Sequence, residues 1–177
     1  MPEFHRDGLL FYYTDELGGP AVPRGVVKAQ TAFVFQHGLG SDHRQPLDLY
    51  RPEKGVRLIS MDIRAHGRTA PMPSERSLNI RAMAEDLWAL LDHLQVEQCV
   101  LGGISLGAAL AVTAALVRPE ACLGLVLVRP AFLYSPDPPH LEVFAEAGKY
   151  LLQYGPQEGR ARVKQHSLYR SLKQSYP

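Results

Sequence analysis

Apolar positions along the chain follow two distinct periods. Residues 31–36 (TAFVFQ), 56–61 (VRLISM) and 123–128 (LGLVLV) are short, nearly continuous apolar runs, the pattern of strands buried on both faces. Residues 8–14 (GLLFYYT) predict an earlier, aromatic-rich strand. Ile80, Met83, Ala84, Leu87, Leu90, Leu91 and Leu94 recur at helical spacing with Arg81, Glu85, Asp86 and Asp92 between them. That spacing predicts an amphipathic helix, with Asn79 as its N-cap. A short run at 99–101 predicts a strand, and 106–117 a helix that stops at Arg118-Pro119. Strands alternating with helices imply an α/β fold: a mostly parallel sheet with helices on both faces. The helix over 106–117 is apolar nearly all round and holds five alanines. It must therefore be buried close to the sheet.

Other stretches break the pattern. Residues 18–25 hold Pro20, Pro23 and three glycines and read as a loop. After Val128, RPAFLYSPDPPH carries four of the chain's 14 prolines and reads as an extended loop. Residues 141–154 and 160–172 then predict helices separated by GPQEG. The expected division is a core over 1–133 and the start of a helical segment over 134–177. There is no internal repeat.

Composition narrows the class. The 177 residues are 46% hydrophobic and 21% charged, with net charge +1, the profile of one soluble domain. Scattered basic residues give no electrostatic case for nucleic acid or an anionic membrane. Residues 99–117 contain no charge, and their length alone permits a membrane span. Gly102 and Gly103 divide that stretch, so a buried strand-turn-helix fits better. Cys99 and Cys122 lie in apolar runs and read as reduced thiols rather than a disulfide or metal site. The N-terminal residues lack a signal peptide's apolar core, which makes a cytoplasmic protein the expectation.

At the centre of the apolar LGGISLGAAL stands one hydroxyl, Ser105, with Gly103 two residues before it and Gly107 two after. This is G-x-S-x-G at a strand-to-helix junction, where the serine sits on a sharp, strained turn that lifts its hydroxyl above the sheet edge. A dinucleotide fingerprint fails because Ile104 occupies its second glycine position, and a phosphate loop fails because no lysine follows Gly107. The alternative is a serine merely tolerated in a glycine-rich turn. QHGLGSD (36–42) follows the 31–36 strand and can present a backbone amide to a developing oxyanion. His37 on its own reads as a satisfied histidine at a strand end. DIRAHGRT (62–69) follows the 56–61 strand and is either an active-site rim or a charged loop pinned by Asp62 and Arg64.

Taken in order, HGLG, DIRAHGRT, MAEDLWALLDHL, GGISLGA and LVLVRPA resemble the α/β-hydrolase superfamily. The resemblance is to small bacterial serine hydrolases with a helical cap, and it runs from about residue 8 to 176. It implies that Ser105 is the nucleophile and that the Leu39 and Leu106 amides form the oxyanion hole. It also implies that Gly38, Gly103 and Gly107 shape the loop and elbow, and that His37 is a structural histidine rather than the base. No metal or cofactor is implied. The family's acid and histidine follow two further strands beyond the cap, and no position here matches them. His140 and His166 lie in cap-like segments, and Asp137 lies in the proline-rich loop. The chain therefore reads as the N-terminal two-thirds of a hydrolase of carboxylic esters or related acyl substrates. One alternative is a non-catalytic remnant or ligand-binding module; a more distant one keeps the fold with haloperoxidase or C–C hydrolase chemistry. The 123–128 strand should lack an outer neighbour and offer an edge for self-association.

Overall fold

A computed structural model describes residues 1–19, 31–130 and 141–175. The chain divides into two compact units, Met1–Ala131 and Phe132–Pro177. The first unit contains a six-stranded sheet: β1 (Glu3–Arg6), β2 (Leu9–Leu17), β3 (Thr31–Gln36), β4 (Val56–Met61), β5 (Cys99–Ile104) and β6 (Cys122–Val128). Their order across the sheet is β1-β2-β4-β3-β5-β6. β1 and β2 run antiparallel to their neighbours, while β4, β3, β5 and β6 are mutually parallel. Three strands match the apolar runs to within one residue. β5 is longer than its apolar core suggests, because Gly102 and Gly103 stay in the strand. A methyl on Gly102 would approach Phe35 to 2.8 Å and Val126 O to 2.9 Å, so the pairing demands glycine there.

The short α1 (Gln45–Leu49) follows β3, and two longer helices, α2 (Ile80–His93) and α3 (Leu106–Val117), complete the unit. Asn79 caps α2, its side chain accepting the Ala82 N–H at 2.9 Å. α2 buries Leu87, Leu90 and Leu91 in the same apolar cluster as Val34, Ile59, Met61 and Leu101 of the sheet and Leu110, Ala111 and Ala114 of α3. Trp88 donates its indole N–H to Ala114 O at 2.9 Å, which satisfies its polar atom and ties α2 to α3. On the opposite face Tyr50, just after α1, meets the edge of Phe33 at 5.6 Å.

β6 pairs with β5 alone, and among the described residues no strand pairs with its outer edge. Leu123, Leu125 and Val126 are exposed there.

In the second unit α4 (Glu142–Gln165) breaks at Gly155, whose φ of 75° and ψ of 175° are not helical, and resumes at Pro156. GPQEG thus marks a kink rather than a separating loop. A second interruption, absent from the sequence reading, falls at His166, before α5 (Ser167–Ser175). Asp137, His140 and the proline-rich loop lie outside the described residues, as does most of the 18–25 loop.

Candidate active site

In a parallel sheet, ligands bind beyond the carboxyl ends of the strands, where successive connections leave in opposite directions. Here that point lies between β3 and β5, since β3 has β4 on one side and β5 on the other. The turn after β3 carries His37-Gly38-Leu39-Gly40, and the turn after β5 carries Ser105. The topology therefore brings the two glycine-rich motifs together.

Ser105 has φ 53° and ψ −109°, a region that a residue with a Cβ rarely occupies. Such strain costs on the order of 1–3 kcal/mol and persists only where surrounding structure enforces it. The enforcement is visible. The Ser105 N–H donates to Val128 O at 3.0 Å, and its carbonyl accepts from Ala108 and Ala109 as α3 begins. A methyl on Gly103 would lie 2.2 Å from the Gly107 carbonyl carbon, and one on Gly107 would lie 2.1 Å from Gln36 O. Both glycines are therefore required by backbone contact.

The turn after β3 rests directly on this elbow. A methyl on Gly38 would be 3.4 Å from Ile104 O and 3.7 Å from Ser105 Cβ. The Gly38 N–H donates to Gln45 Oε1 at 2.9 Å, and Ser41 N–H returns to Gly38 O at 3.2 Å. The Leu39 N–H makes no hydrogen bond among the described residues. Leu106 opens α3, so its N–H has no partner within the helix and lies at the positive end of the helix dipole. Neither of the two sequence-predicted oxyanion amides hydrogen-bonds another described residue. Nothing in the sequence marks Gln45, a lone glutamine at a helix start, as the residue that holds the turn.

His37 is fully buried. Its Nε2 accepts the Ile63 N–H at 3.1 Å, which leaves Nδ1 to donate to Gly38 O at 2.9 Å. Both nitrogens are used, and burial pushes the imidazole's pKa down from 6.5 to about 4. A folded pKa below the unfolded one stabilises the fold fully above pH 6.5, and that contribution is lost as pH falls toward 4. The loss should reach about 3 kcal/mol. Urea midpoints at neutral pH and near pH 4 should show this increment, and His37→Asn should lack it.

DIRAHGRT is a pinned loop. Asp62 is fully buried and accepts from His43 N–H at 2.8 Å, His43 Nδ1 at 2.7 Å and Arg68 N–H at 2.8 Å. Arg64 forms a two-pronged pair with buried Asp86 of α2. Burial pushes the Asp86 carboxyl above the usual carboxylate range, while Arg64 opposes it. Ligand atoms of Asp42, His43 and Asp62 lie within 4.8 Å of one another. Their carboxylates already have hydrogen-bond partners, however: Arg44 donates to Asp42 and the His43 ring to Asp62. Among the described residues no side chain hydrogen-bonds Ser105 Oγ.

Residues 31–175 match the family described as alpha/beta hydrolase fold. The chain belongs to the α/β hydrolase fold family. Within that family it is 34% identical over 126 residues to the putative carbamate hydrolase RutD of Pseudomonas syringae, covering 70% of this chain and 47% of that one. It is 32% identical over 121 residues to the sn-1-specific diacylglycerol lipase ABHD11 of Mus musculus, covering 67% of this chain and 38% of that protein. This α/β hydrolase chain thus spans half or less of the length of those relatives. A solved α/β hydrolase from a Medee basin deep-sea metagenome library, MGS-M2, superposes with a TM-score of 0.69 at 17% identity. That match covers 99% of this chain and 61% of MGS-M2. Among the described residues no helix is long and apolar enough to cross a membrane.

Proposed function

We propose that this chain carries the nucleophile and oxyanion hole of a cytoplasmic serine hydrolase acting on carboxylic esters or related acyl substrates. The observation that supports it most is the strained Ser105 at the β5–α3 turn, its hydroxyl without a hydrogen-bond partner among the described residues and the Gly38 turn against it. Ser105 Oγ attacks the acyl carbon, and the Leu39 and Leu106 N–H groups receive the charge that develops on the carbonyl oxygen. The proton on Oγ passes to a base supplied from outside the described residues. The relatives named for a carbamate and a diacylglycerol both point to chemistry at an acyl carbon. The reaction calls for no cofactor and no metal. The unit Phe132–Pro177 is read as the start of a helical cap. A non-catalytic remnant is the competing reading, and haloperoxidase or C–C hydrolase chemistry a more distant one.

Prolonged incubation with a fluorophosphonate, followed by peptide mapping, separates the first two. A single adduct on Ser105, absent from Ser105→Ala, is expected. Labelling scattered over surface tyrosines and lysines, with Ser105 unmodified, would mean the site is not a nucleophile's.

The same reading extends to a second copy as partner, paired strand to strand along the outer edge of β6. Among the described residues nothing pairs with that edge, and the strand carries no charge or proline to guard it. Sedimentation should be concentration-dependent for the chain and monomeric for Leu125→Lys. A wild-type monomer at all concentrations would end this proposal.

A further inference from the structure

We infer that Cys99 and Cys122 are a site of oxidative modification, closing a cross-strand disulfide that staples β6 to β5. The two residues are direct partners in the parallel register of these strands. Neighbouring strands lie about 4.8 Å apart, inside the Cα separation of roughly 4.4–6.8 Å that a disulfide spans. Both side chains face the same way, since Cys99 belongs to the buried cluster and Cys122 packs against that cluster. Both are free thiols. The register shifts between Cys99 and Val100, so the ladder is irregular beside the pair and the edge strand can yield to bring the sulfurs together.

The two thiols differ in access. Cys99 is buried, and burial, with a smaller contribution from the neighbouring Cys122, pushes its pKa up to about 12. Cys122 is half-buried on the edge strand and donates weakly to Gly124 O at 3.4 Å. Oxidation therefore begins at Cys122. Its thiolate attacks one oxygen of a peroxide, the O–O bond breaks, hydroxide leaves, and a sulfenic acid forms. The Cys99 sulfur then attacks Cys122 Sγ, the S–O bond breaks, and water leaves with the Cys99 proton. Two thiols and one peroxide become one disulfide and two waters. The bond lies at the opposite end of β6 from Val128, whose carbonyl braces the Ser105 N–H. Oxidation thus clamps the strand on which the elbow leans.

Peroxide titration of the reduced chain tests this by intact mass. The expected product has lost two hydrogen atoms. Cleavage after Glu97 and Glu120, which puts the cysteines on separate peptides, should then yield one linked species. Unfolding of the oxidised chain in urea should slow several-fold and recover on reduction. Cys122→Ser should show no mass loss, and Cys99→Ala should take up oxygen at Cys122 instead. Oxygen adducts on wild-type Cys122 with Cys99 still a free thiol, or disulfides between chains, would overturn the assignment.

Discussion

p-Nitrophenyl esters are expected to be hydrolysed only feebly by the 177-residue chain, roughly 10³–10⁴-fold faster than by water. Losing the histidine of a serine hydrolase typically costs on the order of 10⁶ in kcat, and among the described residues no histidine hydrogen-bonds Ser105 Oγ. Both nitrogens of His37 are occupied, and the Nδ1 atoms of His43 and His66 are bound to Asp62 and Arg64 O. What would remain is the stabilisation proposed for the Leu39 and Leu106 amides at the start of α3. Initial rates for the chain and for Ser105→Ala should therefore be low and close to one another. Robust turnover abolished by Ser105→Ala would mean that a base reaches Oγ from residues outside those described, and the low rate expected here would be wrong.

Gly107→Ala should destabilise the fold by about 3 kcal/mol or more, at or beyond the upper end of overpacking costs. Its methyl would sit 2.1 Å from Gln36 O and 2.7 Å from His37 O. Those atoms belong to the backbone of β3 and its turn, and neither can move without dragging the oxyanion turn along. Gly124→Ala is the control, because nothing lies within 4 Å of its added methyl. Urea midpoints should fall sharply for the first substitution and barely for the second. Equal shifts would show that the elbow relaxes to accept a side chain at 107.

The parts of this fold legible in the sequence are those where the local pattern and the tertiary role coincide. β3 and β4 are continuous apolar runs because they lie inside the sheet. α2 is amphipathic because one stripe faces the core, and Asn79 announces its start. Ser105 was visible because a tight strand-to-helix turn excludes side chains at both flanking positions, which places glycines at 103 and 107. β1 and α1 were not visible. β1 has only four residues, half of them exposed, and α1 is five residues long with no capping side chain. Such elements form because neighbours hold them, and their own sequences carry little periodicity.

The chain alone determined the α/β class, the elbow and the position of its serine, since periodicity and glycine spacing are local properties. Only the tertiary structure decided which loops meet at that serine. Gly38 touches the elbow because β3 and β5 are neighbours, and strand order is a long-range property invisible to any window of sequence. The roles of the polar residues were settled the same way. His37 reads from the sequence as a satisfied histidine, and the fold supplies the partners for both of its nitrogens; the sequence leaves Asp62 as either an active-site rim or a pin, and burial with three donors makes it the pin. That is a matter of which donors and acceptors the fold places within 3 Å or so of them.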